Sequence, residues 1–196
     1  CKNKSSETWS KKTKDEIAKI IKKREKTSLD RYGTEHPMQN KKIKKKALET
    51  LYENGTAPTS KQQLHIHSLV GGELNYPVGR SLLDIAYIDE KIYFEYDGGG
   101  HDLQVKIGNL SQEDFNKKEA RRAYYLLDRG WKEMRLICPT DKLPEDGEIK
   151  DFVEYTKSFL NTKKGISVQW YYEEGYLIVN YKHKMSMEEY LNYKKD

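Results

Sequence analysis

Residues 81–97 constrain the fold more than any other part of the chain, because they encode two short strands joined by a tight turn. The runs SLLDIAYI (81–88) and IYFEYD (92–97) are rich in β-branched and aromatic residues, and three polar residues, 89–91, separate them. This pattern predicts a β-hairpin. Three consecutive glycines, 98–100, then end its second strand.

Helical patterns surround this hairpin. They predict helices over 10–26, 41–55, 61–70, 111–129 and 147–161, with an ordered loop over 28–40, a strand over 131–138, a second hairpin over 166–181 and a short final helix. Ser186 and Glu189 have the spacing of a capping box for that final helix. The order helix, hairpin, helix, strand indicates an α/β fold whose last strand can lie parallel to a member of the hairpin.

The charge of the chain is distributed unevenly. Residues 1–50 contain 16 Lys and Arg against 7 Asp and Glu, a net charge of +9, whereas the remainder has 20 against 24, a net charge of −4. A basic segment on a slightly acidic body indicates a polyanionic partner. We therefore divide the chain into a basic helical arm that would bind this partner (1–55), a core (56–145) and a helix-hairpin-helix extension (146–196).

Composition excludes several other classes of protein. No stretch approaches the roughly 18 apolar residues of a membrane span, so no membrane partner is expected. The chain has two cysteines, Cys1 and Cys138, too few for a disulfide framework. Cys1 is either a free thiol in a reducing cytosol or the last ligand of a zinc module that precedes it. The predicted location is cytoplasmic.

Three carboxylates of the hairpin are candidate metal ligands. Asp84 sits within an apolar run, where an unpaired carboxylate is costly, and Glu95 and Asp97 are two apart on one strand and so share a face. Acids that converge in this way repel one another unless a cation lies between them. Mg²⁺ prefers such oxygen ligands. The alternative, a turn-capping Asp and two acids on a solvent-facing strand, is about equally compatible with the spacing alone.

The glycines that follow these acids strengthen the metal-site interpretation. Glycine lets a backbone approach a ligand closely, and His101 and Asp102 come directly after the glycine run. A histidine at this position can act as a general base, a general acid or a phosphate contact. A lone histidine is more often structural, but one that follows a carboxylate pair and a glycine turn favours catalysis.

The run LLDIAYIDEKIYFEYDGGGHD, followed by a helix with Arg121-Arg122 and the strand RGWKEMRLI, resembles the very-short-patch-repair endonucleases. It is especially similar to the phage homing endonucleases with this catalytic domain, the EDxHD group of the PD-(D/E)xK superfamily. The resemblance covers about residues 58–140. It implies a PD-(D/E)xK-type mixed sheet flanked by helices, with the basic arm before it and a small α+β extension after it. It also implies a metal-dependent DNA endonuclease, encoded by a phage and acting in the cytoplasm of the bacterial host.

Carried over by position, the resemblance implies that Asp84 is the central metal ligand. Asp97, with the strand around Glu95, would complete a site for Mg²⁺, for which Mn²⁺ can substitute. His101 corresponds to the catalytic histidine of the family. Asp102, beside it, is a further catalytic candidate.

The chain departs from the family pattern at two places. The usual lysine of the ExK motif is replaced by Asp97, so no lysine orients the attacking water. The glutamate expected near the start of the first core helix is replaced by Gln62 and Gln63, which can orient a water but cannot act as a base. These departures keep open an alternative, a catalytically weak or inactive DNA-binding protein on a nuclease fold. An RNA-directed nuclease is the other alternative, because the tyrosines of 171–181 can stack on bases.

Duplex DNA is the predicted partner, and basic residues on two helices are its predicted contacts: Lys41, Lys42, Lys44, Lys45, Lys46, Arg121 and Arg122. The alternative for the two arginines is an ordinary solvated helix face. The sequence is compatible with a monomer and with a homodimer.

Overall fold

A computed structural model describes residues 11–193, which divide into two compact units between Leu51 and Tyr52. The start of the first predicted helix at residue 10 lies outside the described residues. So does Cys1, for which the sequence predicts a free thiol or a zinc ligand.

The first unit contains helix α1 (Lys14–Tyr32), a 3₁₀ turn (Pro37–Gln39) and most of helix α2 (Lys41–Glu53). Helix α1 runs past the predicted end at residue 26, because the sequence offers no helix breaker before Gly33. That glycine has a φ of 71° and ends the helix in the left-handed conformation. The connection between the helices is therefore shorter than predicted.

The second unit is built on one sheet. Its elements in chain order are α3 (Lys61–Val70), β1 (Glu73–Val78), β2 (Ser81–Tyr87), β3 (Ile92–Asp97), α4 (Leu103–Lys106), α5 (Gln112–Leu127), β4 (Lys132–Ile137), α6 (Asp146–Leu160), β5 (Ser167–Tyr171), β6 (Tyr176–Val179), β7 (His183–Met185) and α7 (Met187–Tyr193). The predicted capping box is present, since Ser186 N–H donates to Glu189 Oε2 and Glu189 N–H donates to Ser186 Oγ.

The seven strands lie in sequence order, β1 to β7. Strand β3 pairs in parallel with β4, and β4 with β5; the other four pairings are antiparallel. The predicted α/β class with a mixed sheet is confirmed, as a mostly antiparallel open sheet. Strands β5 to β7 continue the same sheet, so the C-terminal segment is structurally continuous with the predicted core.

Strand β1 was not predicted from the sequence. It contains Pro77, which has no N–H to donate and argues against a central strand. The structure resolves this conflict by placing β1 at the edge of the sheet, where it pairs only with β2.

Two apolar clusters cover the two faces of the sheet. The large cluster packs Ile66 of α3, Phe152 of α6 and Tyr190 of α7 against one face. The small cluster packs Leu126 of α5 against the other face, around Trp131. We call these the α6 face and the α5 face. Among residues 11–193, no helix combines the length and the apolar character needed to cross a bilayer.

Candidate active site

At Asn75 of β1 and Asp84 of β2, the regular alternation of side chains between the two faces of the sheet is interrupted. Residues two apart on a regular strand share a face, yet Leu83 belongs to the cluster on the α5 face and Ile85 to the cluster on the α6 face. Asn75 has a φ of 55°, the left-handed conformation that asparagine adopts more readily than most residues. The distortion removes Asp84 from the regular alternation of the strand.

Gln63 of α3 holds this distortion in place. Its buried side chain donates through Nε2 to Asn75 Oδ1 at 3.1 Å and to the backbone carbonyl of Asp84 at 3.2 Å. Of the two glutamines predicted near the site, Gln63 therefore fixes the backbone under Asp84. Gln62 is half-buried at the preceding position of the helix.

The Asp84 carboxylate occupies the gap where β2 separates from β3. The last paired residues of the two strands are Ile85 and Phe94, and beyond them Tyr96 N–H donates to Asp84 Oδ2 at 2.9 Å. One further step in this register places Asp84 opposite Glu95. Burial, and secondly the charge of Glu95, raise the pKa of Asp84 to about 8.

The side chain of Arg122, on α5, also reaches this gap between β2 and β3. Its Nη2 donates to Glu95 Oε1 at 2.7 Å and to the backbone carbonyl of Leu82 at 2.9 Å. Burial raises the pKa of Glu95, and Arg122 and then Arg135 oppose that rise. Because its guanidinium is used inside the protein, Arg122 is not available as the DNA contact that the sequence suggests. The adjacent Arg121 is exposed.

Asp97 and His101 form an oriented pair at the end of β3. His101 Nδ1 lies 3.0 Å from Asp97 Oδ1, while Arg135 Nη1 of β4 donates to Asp97 Oδ2 at 2.6 Å. Glu119 of α5 closes the group, with Oε2 lying 3.7 Å from His101 Nε2 and 3.5 Å from Arg135 Nη1. The edge of the His101 ring packs on Phe115, so the ring is held by contacts on several sides.

Arg135 also contacts a third carboxylate, that of Glu133. Its guanidinium lies 3.3 Å from both oxygens of Glu133, which is 1% exposed. Tyr93 Oη and Gln169 Nε2 donate to Glu133 at 2.8 and 2.6 Å. Although burial raises the pKa of Glu133, Arg135 and these two donors outweigh it, and the net shift is downward.

The acidic cluster is thus compensated by protein cations, which sequence reasoning did not foresee. The repulsion between the hairpin acids led us to expect a bound metal ion, but Arg122 pairs with Glu95 and Arg135 pairs with Asp97. Within residues 11–193, no group of three or more His, Cys, Asp or Glu side chains is arranged to hold a metal ion.

The glycine run packs against its own protein. A Cβ on Gly98 would lie 2.1 Å from Asp141 Oδ1, and Gly99 N–H donates to that oxygen at 2.9 Å. The close approach predicted for these glycines therefore occurs toward the β4–α6 loop. Asp102 lines the same cleft as His101 and pairs with Lys106 at 2.7 Å, and the hydrogen bond to Lys106 lowers its pKa.

A cleft of about 620 Å³ opens over the Asp97 and His101 pair. Glu119 and Phe115 of α5 line one side, and Tyr171 of β5 lies on the sheet side. Its volume is in the range that accommodates a single small ligand or one nucleotide of a larger one.

Sequence reasoning missed Glu119 and Arg135. The Glu119 side chain is 24% exposed and lies next to His101. The signal for Arg135 was present: Glu133 and Arg135 are two apart in the strand KEMRLI, so they share a face just as Glu95 and Asp97 do. A buried charged strand position calls for an opposite charge on the neighbouring strand.

The predicted DNA-contacting lysines lie on α2. Lys41, Lys42, Lys45 and Lys46 are exposed, Lys44 is half-buried, and Lys45 pairs loosely with Glu49 at 3.6 Å. The helix therefore presents a dense positive charge to solvent.

No protein-family model, no curated protein and no solved structure matches this chain.

Proposed function

We propose that the protein is a Mg²⁺-dependent endonuclease that hydrolyses phosphodiester bonds of duplex DNA, with Asp84 at the metal site of a PD-(D/E)xK-type core. One observation supports this most: the Asp84 carboxylate lies in the gap between β2 and β3, bonded to Tyr96 N–H and under the charge of Glu95, which itself pairs with Arg122. Burial raises the pKa of Asp84, and the protein supplies one positive partner, Arg122, for two adjacent carboxyls. A cation that binds there would supply the second positive charge and release the proton of Asp84.

The donor atoms at this gap fit Mg²⁺. Asp84 uses Oδ2 for Tyr96 N–H, and Glu95 uses Oε1 for Arg122, so in the described part of the chain Asp84 Oδ1 and Glu95 Oε2 accept no hydrogen bond. Mg²⁺ is commonly held by one or two carboxylates together with waters and phosphate oxygens. When bound, the ion would polarise the phosphate and help to ionise water. Mn²⁺ should substitute, since it favours similar ligands.

The residues next to the gap would handle protons. Asp97 fixes His101 through Nδ1, which leaves Nε2 directed toward the cleft and 3.7 Å from Glu119, too far for a hydrogen bond. A neutral ring can take a proton from water at Nε2, and a charged ring can give one to the leaving oxygen. We therefore reassign Asp97 from metal ligand to positioning residue. Asp102 has no role in this scheme.

The test is cleavage of supercoiled plasmid DNA in Mg²⁺, Mn²⁺ and EDTA by the parent protein and by Asp84→Asn. We expect cleavage in either metal, none in EDTA, and at least about a 100-fold slower rate in the variant, because metal stabilisation is worth several kcal/mol and 1.36 kcal/mol is tenfold. The variant should remain folded, since an amide oxygen can still accept from Tyr96 N–H. Equal rates would mean that the metal site is elsewhere.

A DNA-binding protein without catalytic activity is the second candidate. It is favoured by the pairing of Glu95 and Asp97 with arginines and by the use of Gln63 to hold the backbone. Duplex binding without plasmid cleavage in any metal would support it.

The basic helix α2 makes a separate prediction about binding. Replacing Lys41, Lys42, Lys45 and Lys46 by Gln should weaken DNA binding and flatten its salt dependence. The slope of log K against log[salt] should fall by about 0.9 for each phosphate that the variant no longer neutralises. The matched control replaces four other exposed lysines, Lys61, Lys142, Lys150 and Lys163. If both variants change the slope equally, α2 is not the preferred DNA-binding element.

A further inference from the structure

The cleft extends past His101 onto β5, where Tyr171 lines it. The register pairs Asp97 with Ile137 and Ile137 with Tyr171. Tyr171 therefore lies two strands from Asp97, and both residues are at the C-terminal ends of their strands. With strands about 4.8 Å apart, the separation across the sheet is about 10 Å. An aromatic ring thus lies in the same cleft as His101, about 10 Å across the sheet from Asp97.

The Tyr171 ring has one covered face. Tyr176 of β6 stacks on it with ring centroids 4.6 Å apart and an interplanar angle of 18°. Lys184 of β7 lies over the Tyr176 ring, 3.6 Å from its centroid. Because Tyr171 also lines the cleft, its second face is the one available to a ligand there. The stack behind it fixes the ring in place.

Helix α5 offers polar groups across the same cleft. Gln112 Nε2 donates to Asn116 Oδ1 at 2.8 Å, and both exposed side chains line the cleft. This bond orients the two amides and leaves Gln112 Oε1 as an acceptor and Asn116 Nδ2 as a donor. A single Asn or Gln amide recognises a base edge with one acceptor and one donor. The two amides here offer these two groups between them.

We propose that this part of the cleft binds one unpaired nucleobase of the DNA strand, stacked on Tyr171 and hydrogen-bonded by Gln112 and Asn116. The inference rests on the proposed function, in that DNA is the substrate. A base within a duplex has both faces covered by its neighbours, so only a base that has left the stack can meet Tyr171. The preferred substrate is therefore DNA with an unstacked nucleotide next to the cut phosphate.

The test measures binding without cleavage. The probe is a DNA duplex with a single bulged 2-aminopurine, compared with the fully paired duplex in EDTA. Binding should change the fluorescence of the bulged base. Tyr171→Ala should weaken binding of the bulged duplex about 5- to 150-fold, because base stacking on an aromatic ring is worth about 1–3 kcal/mol. Tyr171→Phe should retain it, and the paired duplex should bind all variants alike.

Tyr124→Ala is the matched control for Tyr171→Ala. Tyr124 is 70% exposed, lies on α5 as Gln112 and Asn116 do, and does not line the cleft. A double variant, Gln112→Ala with Asn116→Ala, changes only exposed residues and keeps the test valid if Tyr171→Ala fails to fold. It too should weaken binding of the bulged duplex selectively. If both cleft variants bind the bulged duplex as the parent does, no base binds there.

Cleavage and base binding can fail separately. A parent protein that cuts plasmid in Mg²⁺ but shows no Tyr171 effect retains the nuclease proposal and loses the base site. A parent that cuts nothing yet binds the bulged base through Tyr171 retains the base site and loses the hydrolase. A single-stranded RNA that binds through Tyr171 at least tenfold more tightly than the DNA of the same sequence would overturn DNA as the ligand.

Discussion

His101→Ala should slow plasmid cleavage by about 10²- to 10⁴-fold, the range that general acid–base catalysis contributes, while duplex binding in EDTA changes little. The ring is fixed by Asp97 at 3.0 Å and by Phe115, and its Nε2 faces the cleft. In the proposed reaction this imidazole is the proton carrier, because Nε2 can accept a proton from water or return one to the leaving oxygen.

His183→Ala is the matched control, because His183 is exposed on β7 and should leave the rate unchanged. His101→Asn tests whether hydrogen bonding alone suffices. If calorimetry shows that His101→Ala no longer binds Mg²⁺, the residue is a metal ligand and not a proton carrier. A parental rate in the alanine variant would leave water ionised by the metal as the base.

The hairpin and its carboxylates were predictable because they depend on local pattern. The β-branched and aromatic content of residues 81–97, interrupted by three polar residues, predicted β2, β3 and the turn between them, and spacing alone put Glu95 and Asp97 on one face. The parallel position of β4 followed from the order of elements. Local sequence carries these features since strand periodicity depends on neighbouring residues.

The compensation of charge was not predictable in the same way. Arg122 reaches Glu95 over 27 residues and Arg135 reaches Asp97 over 38, so both pairings depend on how α5 and β4 pack on the hairpin. The interruption of side-chain alternation at Asp84 depends on Asn75 of β1. That strand was not predicted because it contains a proline. Sequence pattern identified the acids; packing determined which of them are paired with protein cations.

Asp84 differs from the neighbouring carboxylates in its hydrogen-bond partner. Glu95, Asp97 and Glu133 each have a guanidinium within 3.3 Å. Asp84 accepts from a backbone N–H, and its pKa is raised. A carboxylate whose charge the protein does not pair is the best placed of the cluster to receive an external cation.

Arg135→Met should destabilise the protein by about 3–5 kcal/mol, because removing one partner of a buried ion pair leaves uncompensated buried charge. Arg135 is 8% exposed and contacts Asp97, Glu119 and Glu133, so three carboxylates would lose their common guanidinium. Urea unfolding measures the change in stability. Arg121→Met, an exposed change on α5, should stay within about 0.5 kcal/mol of the parent.

The destabilisation should grow as the pH rises above about 5, which distinguishes the loss of charge pairing from the loss of side-chain packing. In the parent, the lowered pKa of Glu133 contributes stability above its ordinary value of 4.5. Without Arg135, burial raises that pKa, so the folded variant binds more protons than the unfolded chain and becomes less stable as pH rises. Adding Glu133→Gln to Arg135→Met should remove much of this pH dependence. A deficit that is constant across this range would mean that Arg135 stabilises the sheet mainly through the packing of its side chain.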